Sequence, residues 1–416
     1  MRSTLLTLLL LLPVSGHARR LTMAQFLATA SKDYRLRNHE ELTDYFKNAR
    51  TSTPYLNRIE LRAESDFDRP RQRYELRVYP KGWGETRHTR ELTEVTDQSN
   101  RLADRAIFNS ALQERYDLLL DHLELTGLLD LQRQLLAVYN DRITVLRRKS
   151  ASVPDFDVTA LLSAENQLVD KRLAIIRLQN RLTSIRHRMA LIAGHPAEIA
   201  VPRDDLLPIA EIARLARRAR RVRPTRDIDN IYLQRRRVRV KRADVRYRLE
   251  VARDRDYLRF FKVEFETDRH DQLERAFTVG LALKLPFINP DRHEANRRKV
   301  RYLEQKLRLE QERRETSERV ISHSRALLRL LAQQKVLRDR KDRGDAEASF
   351  RRYLAMDGID PLLLLKVKES ILEGDIRLTE IENAIRKRHV ALLDVLGRLG
   401  QRPLRNVISR RGEVLP

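Results

Sequence analysis

Cysteine is absent from all 416 residues of this chain. Its absence excludes disulfide bonds, thiolate metal sites, cysteine nucleophiles and a lipid attached to an N-terminal cysteine. Glycine (12 residues) and proline (14 residues) are scarce, and tryptophan occurs once. With few residues that break helices and 34% charged residues, the composition is typical of long helices with solvated faces.

Motifs that would indicate an enzyme are also missing. The sequence contains no glycine-rich phosphate loop, no HExxH or GxSxG motif and no cluster at metal-ligand spacing. The ten histidines are scattered, and we interpret His187 and His389, near the ends of two related helices, as surface residues. We therefore expect no catalytic activity, no cofactor and no metal.

Long apolar runs are limited to the first residues. The run Leu5–Leu12 is preceded by an arginine and followed by a proline and small residues up to Ala18, which is typical of a secretory signal peptide over residues 1–18. It is too short to span a bilayer as a helix, and no other run approaches 18 apolar residues. We therefore expect an exported protein without a transmembrane helix.

Charge is strongly unbalanced, with a formal net value of +25. In the cytosol this would favour nucleic acid as a partner, but in an exported protein lipid phosphates or an acidic partner are better candidates. The most basic run, Arg235–Arg242, lies within a helical pattern, and we interpret it as a solvated helix face.

Two stretches repeat one pattern. Asp157–Gly194 and Asp360–Gly397 superimpose their apolar positions without a gap, at alternating steps of three and four residues. This is the coiled-coil period, and each stretch begins with an Asp at an N-cap position and ends with a Gly. The repeat predicts two helices of about 37 residues, roughly 55 Å long, in two structurally equivalent halves.

The period changes from helical to two at one place in each half, which predicts β-hairpins at 58–79 and 260–285. Each hairpin has one apolar and one charged face. The apolar face includes Phe261, Val263, Phe277, Val279 and Leu281. The charged face includes Arg62, Arg77, Lys262, Glu264 and Lys284.

Each half therefore consists of short helices, a β-hairpin and a helical hairpin, and the predicted fold is mainly α with a small β part. The first half covers 19–200, with its antiparallel helical hairpin at 89–194. The second covers 201–400, with its helical hairpin at 291–397. The outgoing helix of the second half is predicted to be continuous from Asp291 to Arg352. Residues 401–416 form a basic tail that we expect to be disordered.

The hairpins allow two interpretations. Four strands cannot close a barrel, and open edges are not stable in lipid, so a membrane role would require three chains that pool twelve strands. Alternatively, the hairpins form a soluble sheet with one solvated face, and the protein is a periplasmic coiled-coil scaffold. A third hypothesis is a basic helical protein that binds polyanions.

This order of elements resembles the TolC-like outer-membrane efflux family. Leu21–Leu27 (LTMAQFL) is similar to the family's opening LTLxEAL pattern, and Arg223–Glu250 to its RPDL…A…A segment before the third strand. Phe277–Ile288 (FTVGLALKLPFI) resembles the fourth strand and the LxLPL element that follows it. Gly194 and Gly397 resemble its LxxxxG helix endings.

The resemblance implies a homotrimer with a long α-helical barrel and a shared 12-stranded β-barrel. It implies a location in the outer membrane, in contact with its lipid, with most of the mass in the periplasm. The implied function is a passive exit duct that receives cargo from an inner-membrane pump through a periplasmic adaptor. Nucleic acid is not an expected partner.

The resemblance also assigns the helical tips to adaptor docking or to the periplasmic mouth. The residues concerned are Val153, Phe156, Asp157, Ile359, Asp360 and Leu364. Packing of helix ends is the alternative for Phe156 and Leu364. In the best-known family member paired aspartates narrow the entrance, but Leu363 and Lys366 align there, so the acidic gate does not carry over. A ring of Lys366 would be cationic, and the alternative is an i,i+3 ion pair with Glu369.

Overall fold

The computed structural model describes the following residues: 19–48, 54–66, 71–152, 156–194, 197–200, 205–221, 230–254, 258–266, 277–283, 292–356 and 359–415. The expected signal peptide, Val153 and Lys284 lie outside these ranges. The chain forms two compact units, each built from separate stretches of sequence. Unit 1 comprises 1–33, 108–222 and 320–416, and unit 2 comprises 34–107 and 223–319.

The secondary structure confirms the predicted class, mainly α with a small β part. The helices are α1 Met23–Ala28, α2 Tyr34–Asn48, α3 Glu85–Ser152, α4 Val158–Ala193, α5 Ile209–Arg221, α6 Ile231–Asp254, α7 Arg292–Asp342, α8 Asp345–Leu354 and α9 Pro361–Val395. The strands are β1 Arg19–Thr22, β2 Leu56–Asp66, β3 Arg71–Pro80, β4 Ala197–Ala200, β5 Leu258–Glu266 and β6 Phe277–Leu283. No described helix combines the length and the apolar character needed to cross a membrane.

The two repeated stretches form the returning helices α4 and α9, with the predicted caps. Asp157 accepts a hydrogen bond from Thr159 N–H at 2.9 Å, and Asp360 accepts one from Leu362 N–H at 3.0 Å. At the other ends, Gly194 and Gly397 have φ of +77° and +71°, a left-handed conformation that glycine adopts without strain. Local chemistry therefore sets the ends of both helices.

The outgoing helix of the second half is broken, contrary to the prediction of one helix from Asp291 to Arg352. α7 ends at Asp342 and α8 begins at Asp345. Gly344, between them, has φ of +66°, and its N–H donates to Lys341 O at 2.9 Å. An isolated glycine is tolerated within a helical pattern, so the periodicity alone did not reveal this break.

Each returning helix packs antiparallel in unit 1. Leu125 and Leu129 of α3 pack on Leu182 and Ile175 of α4, while Leu146, nearer the end of α3, packs near Ala164. α9 likewise runs antiparallel to α3. Near the start of α9, Leu362 lies in a cluster with Leu146 of α3. Further along α9, Leu372 packs against Leu135 and Val138, and Lys387 donates a hydrogen bond to Glu124. α3 is therefore flanked by both returning helices.

The C-terminal tail is ordered against unit 1, which corrects the prediction of a disordered segment. Ile408 and Leu415 are buried in the main core, together with Tyr116 of α3. Val407 N–H donates to Tyr116 Oη at 3.1 Å, and Leu207 N–H donates to Ile408 O at 2.8 Å. Its basic composition suggested disorder, but its few apolar residues are enough to anchor it.

The two β-hairpins join in one antiparallel sheet of unit 2, in the order β2-β3-β5-β6. The registers align three continuous cross-strand rows: Leu61, Leu76, Val263 and Val279; Arg62, Glu75, Glu264 and Thr278; Glu60, Arg77, Lys262 and Gly280. A second, two-stranded parallel sheet pairs β1 with β4 in unit 1. Elsewhere in unit 2, Val238 and Val245 of α6 pack on Val95 and Leu102 of α3.

Candidate functional site

One face of the four-stranded sheet is apolar and open to the surroundings. Val279 of β6 is 65% exposed and Leu61 of β2 is 75% exposed. The face contains Ile59, Leu61, Tyr74, Leu76, Val78, Phe261, Val263, Phe265, Phe277, Val279 and Leu281. A contiguous exposed apolar surface of this kind indicates an interaction site, for a membrane or for another protein.

The opposite face carries charges that satisfy one another. Glu264 is buried and lies 2.6 Å from Arg73 Nη2 and 2.9 Å from Lys262 Nζ. Glu75 is also buried and lies 2.6 Å from Arg77 Nε. Of these three pairs, Arg73–Glu264 joins facing strands, an arrangement that stabilises a sheet by roughly 0.2–1 kcal/mol, whereas Lys262–Glu264 and Arg77–Glu75 each lie within one strand. The sheet thus exposes its apolar face, while the charges of its polar face are paired with one another. A sheet that covers a soluble core does the reverse, because it buries its apolar face and leaves its charged face in water.

Gly280 gives the polar face its tight packing. A Cβ at this position would lie 2.6 Å from Lys262 Cε and 2.8 Å from Lys262 Cγ. The absence of a side chain lets Lys262 lie across β6 while its Nζ reaches Glu264. A glycine in a strand often marks such a close approach.

Aromatic residues lie towards both ends of the sheet. Near the turns, Tyr74, Phe265 and Phe277 share one row, and the last two rings are 4.9 Å apart. At the end where the strands meet helices, Tyr79 and Phe260 lie 5.5 Å apart on the polar face. The Arg58 guanidinium lies 4.2 Å from the centre of the Tyr79 ring.

Among the tip residues, the two aspartates have a local structural role. Asp360 Oδ1 accepts a hydrogen bond from Lys149 Nζ at 2.9 Å in addition to its cap bond. That bond, with the one from Leu362 N–H, holds the pKa of Asp360 below its ordinary value of 3.8. The Thr159 side chain and N–H, by their hydrogen bonds, likewise lower the pKa of Asp157.

The apolar tip residues differ in exposure. Phe156 is half-buried and packs against the cluster of Ile143, Leu146 and Ala164. This contact favours the packing alternative for Phe156. Ile359 and Leu364 are half-buried, and Leu363 is exposed.

Lys366 does not form the i,i+3 ion pair with Glu369 that is the alternative to a cationic ring. Glu369 instead lies 3.6 Å from Arg142 Nη1 and accepts a hydrogen bond from Tyr139 Oη. Lys366 is exposed and makes no ion pair or hydrogen bond within the described part of the chain. Burial, together with the bond to Glu369, raises the pKa of Tyr139.

No protein-family model matches this chain, and no curated protein matches it in sequence. Solved structures do match. CusC superimposes with a TM-score of 0.64 at 13% identity, covering 90% of this chain and 92% of that one. The outer membrane protein VceC of Vibrio cholerae gives 0.63 at 12% identity, covering 90% and 96%. The open MtrE outer membrane channel of Neisseria gonorrhoeae gives 0.63 at 13% identity, covering 90% and 88%.

The chain has the fold of the TolC-like outer-membrane channels. At these identities the likeness concerns the fold, and it extends over nine-tenths of the chain. The TolC-like fold brings the predicted strand residues together, because Val263 pairs with Val279 and Lys262 contacts Glu264. Arg62 contacts Glu60 at 3.4 Å, on the same polar face.

Sequence reasoning missed a buried polar centre in unit 1 of this TolC-like fold. Arg115 is buried and donates to Asp33 Oδ2 at 3.0 Å, to Thr29 Oγ1 at 2.8 Å and to Ala111 O at 2.8 Å. A lone arginine in a chain with so many gives no sequence signal. Arg115 and Asp33 are 82 positions apart in sequence, so only the folded structure reveals the pair.

The interpretation of His389 as a surface residue is wrong. Only 1% of its surface is exposed, and burial lowers its pKa to about 4. Its Nδ1 has no hydrogen-bond partner within the described residues. His187 is exposed, as predicted. α9 has charged groups on both sides of its seam, so the pattern did not show that His389 faces inward.

The basic run on α6 is only partly a solvated face. Val238 is buried against α3, and Arg235 and Arg242 are half-buried. Burial lowers the pKa of Arg239, and the charges of Arg235 and Arg236 lower it further. Arg236 also lies 3.5 Å from Glu312 Oε2, so the basic run combines repulsion between neighbouring arginines with an ion pair to α7.

Proposed function

We propose that this protein is an outer-membrane channel component of a tripartite efflux or secretion system. The observation that carries the proposal is the inverted burial of the sheet, in which Leu61 and Val279 are exposed while Glu75 and Glu264 are buried and paired. Lipid would cover the apolar face, and water would fill the space in front of the charged face.

The edges of the sheet support a trimer. Among the described residues, β2 and β6 each pair on one side only, so the sheet of a single chain has two open edges. Unpaired backbone groups are costly in hydrocarbon, and closure removes them. Three chains, edge to edge, would give twelve strands around a water-filled interior.

The dimensions of the sheet fit this role. From the aromatic row at Tyr74 to the strand end at Pro80, the chain spans roughly 20 Å at about 3.4 Å per residue. Barrels in outer membranes present an apolar band about 25 Å tall between aromatic girdles. Because such strands are tilted by about 35–45°, this stretch alone covers only part of that band. The full lengths of β2, β3 and β5, which are 11, 10 and 9 residues, match the 9–11 residues of a tilted membrane strand, and β6 has 7 described residues.

The long helical hairpins would extend the duct into the periplasm, where most of the mass would lie. Their tips would dock a periplasmic adaptor that leads to an inner-membrane pump, and the duct itself would be passive. We assign docking or mouth closure to Val153, Ile359 and Leu364, with Asp157 and Asp360 shaping the tips as helix caps. Leu363 and Lys366 would line the narrowest part of the mouth.

The competing hypothesis, a periplasmic scaffold with a soluble sheet, predicts that helices bury the apolar face. The exposure of that face makes it the weaker candidate. A polyanion-binding protein would use the arginines of α6, but it would leave the sheet without a role.

Fractionation of cell envelopes tests the proposal. We expect heat-resistant trimers in the outer-membrane fraction and ion conductance after reconstitution into planar bilayers. A soluble periplasmic monomer would refute the proposal and favour the scaffold, whereas binding to heparin with steep salt dependence would favour the polyanion hypothesis.

Adaptor docking is tested separately with single cysteines, which are unique labels because the chain has none. Ile359→Cys should crosslink to an adaptor. Val336→Cys, at an exposed position within α7, is the control and should not. Normal efflux by a protein with both tips replaced by Gly-Ser would contradict the docking assignment.

A further inference from the structure

The single tryptophan of the chain lies at the end of the sheet where strands meet helices. Trp83 follows β3 directly before α3, and 91% of its surface is exposed. Tyr55, which precedes β2, is 72% exposed, and its carbonyl accepts a hydrogen bond from Lys81 N–H at 3.0 Å. Exposed Trp and Tyr are typical of a membrane–water interface, since their rings are apolar and their N–H and O–H groups seek water.

These two aromatic residues border an open groove of about 720 Å³. The groove lies within unit 2, between the loop that follows β3, the first turns of α3 and the last part of α6. Its lining consists of Tyr55, Lys81, Gly82, Trp83, Gly84, Thr86, Arg87, Arg90, Glu91, Glu94 and Arg248. Its size falls within the range of sites that hold small molecules.

Unpaired positive charge is concentrated in this groove near the sheet. Glu91 is already paired, 3.0 Å from Arg248 Nη2. The side chains of Lys81 and Arg87 make no ion pair or hydrogen bond with any described residue. Glu94, the other acid of the lining, lies two turns beyond Arg87, about 10 Å along the helix. An anion would therefore meet two cations before it meets a free carboxylate.

We propose that this groove binds the phosphate of an anionic glycerophospholipid. Lys81 and Arg87 would hold the phosphate, and Trp83 and Tyr55 would lie against the glycerol and the first acyl carbons. An arginine guanidinium matches phosphate oxygens in a bidentate arrangement, and a lysine adds a point charge. The inference rests on the proposed function, because a lipid reaches the groove only if the sheet lies in a bilayer.

The exposed rings favour a lipid over a soluble phosphate ester. A small ionic solute gains little from contact with the apolar surfaces of Trp83 and Tyr55. A lipid headgroup offers both chemistries at once, an anionic phosphate above an apolar chain. Along the chain, the apolar strand β3 is followed by Lys81 and Trp83 together and then by Arg87, so the cations and the exposed ring both lie just beyond the apolar strand.

The experiment uses the fluorescence of Trp83, which is the only tryptophan and so reports on this site alone. The full-length protein is reconstituted in nanodiscs of mixed phosphatidylglycerol and phosphatidylcholine, with bromine quenchers on the acyl chains of only one lipid at a time. We expect brominated phosphatidylglycerol to quench the fluorescence of Trp83 by more than its mole fraction in the mixture would produce. Each cation near an anionic headgroup contributes roughly a five-fold preference, so Lys81→Gln or Arg87→Gln should reduce the excess by about that factor.

Arg105→Gln is the matched control. Arg105 lies on the same side of α3 as Arg87, 18 residues or about 27 Å further along, is exposed, and is outside the groove. This variant should retain the preference. Equal quenching by the two lipids, or a preference that persists in the Lys81→Gln/Arg87→Gln double variant, would overturn the lipid site.

Two further outcomes separate the explanations. If millimolar glycerol phosphate removes the preference, the ligand is a soluble phosphate ester and the lipid assignment is wrong. If no brominated lipid quenches Trp83 while aqueous acrylamide does, the sheet is outside the bilayer and the proposed function fails as well. Quenching by both lipids without preference leaves the proposed function intact and refutes only the phosphate site.

Discussion

Lys149 Nζ lies 2.9 Å from Asp360 Oδ1, which joins the last turn of α3 to the first turn of α9. Asp360 is at the same time the N-cap of α9. Two residues 211 positions apart in sequence thus tie one helical tip to the other.

The first prediction separates the two roles of Asp360. Asp360→Ala should lower the free energy of unfolding by about 1 kcal/mol for the lost cap, and by less than about 1 kcal/mol more for the exposed ion pair. Asp360→Asn keeps the cap and should lose only the second contribution. Because the folded pKa lies below the ordinary value, the ion pair contributes above about pH 4 and is lost as the pH falls further. Thermal unfolding of these variants, and of Lys149→Ala, which removes the other member of the ion pair, measures both contributions. Equal losses of stability in Asp360→Ala and Asp360→Asn would contradict the role of Asp360 as a cap.

The second prediction concerns the orientation of the sheet. Val279 and Thr278 are adjacent on β6 and face opposite sides. An arginine facing lipid near the bilayer midplane costs roughly 2–4 kcal/mol, so Val279→Arg should greatly reduce assembly in the outer membrane. Thr278→Arg, opposite Glu264, should assemble normally, and it is a better control than a substitution of the ion-paired Glu264 itself. If the two variants assemble alike, as measured by trimer yield, the sheet does not lie in a membrane.

The third prediction concerns the mouth. Three copies of Lys366 in a narrow ring would form a cationic collar, because like charges in a partly desolvated passage interact more strongly than in water. Lys366→Glu should shift the reversal potential of reconstituted trimers towards cation selectivity. Lys368→Glu, two residues further and turned about 200° around the helix, should change it less. Lys171→Glu, on the returning helix α4 of the first half, should also change the reversal potential less. Lys171 lies 5.5 Å from the centre of the Tyr139 ring. Unchanged selectivity in Lys366→Glu would rule out the collar.

The fourth prediction is a loss of stability in mild acid through His389. Its pKa is about 4 in the folded state against an ordinary 6.5, so the unfolded chain binds more protons between these values. Stability should therefore fall as the pH drops below about 6.5, by on the order of 3 kcal/mol once the pH reaches the folded pKa. His389→Gln should remove this part of the dependence, whereas His187→Gln should keep it. Melting temperatures between pH 8 and pH 4 provide the measurement, and parallel slopes for wild type and His389→Gln would refute the prediction.

The fifth prediction tests the docked tail. Leu415 is buried and its neighbour Val414 is 60% exposed. Leu415→Ala should cost roughly 2–5 kcal/mol, while Val414→Ala should stay within about 0.5 kcal/mol. Removal of residues 401–416 should destabilise unit 1 more than either change. A truncated protein as stable as the full chain would show that the tail contributes nothing to the core.

The sequence determined those features that depend on neighbours within one or two turns. The coiled-coil steps of α4 and α9, their aspartate caps and glycine ends, and the alternation of the strands are all local patterns, and each was confirmed by the structure. The faces of the hairpins followed from the same alternation, because successive side chains of a strand point to opposite sides. Even the mapping of Asp157 and Asp360 to helix starts needed only short-range chemistry.

The tertiary structure decided what depends on contacts between distant residues. Whether His389 faces solvent or core, whether the tail packs on Tyr116, and which arginine meets Asp33 are set by segments tens to hundreds of residues away. The same holds for the joining of the hairpins through β3 and β5, which turned two amphipathic ribbons into one sheet with an exposed apolar face. The reason is that burial is a property of the assembled surface, and a residue's own neighbours in sequence do not determine what finally covers it.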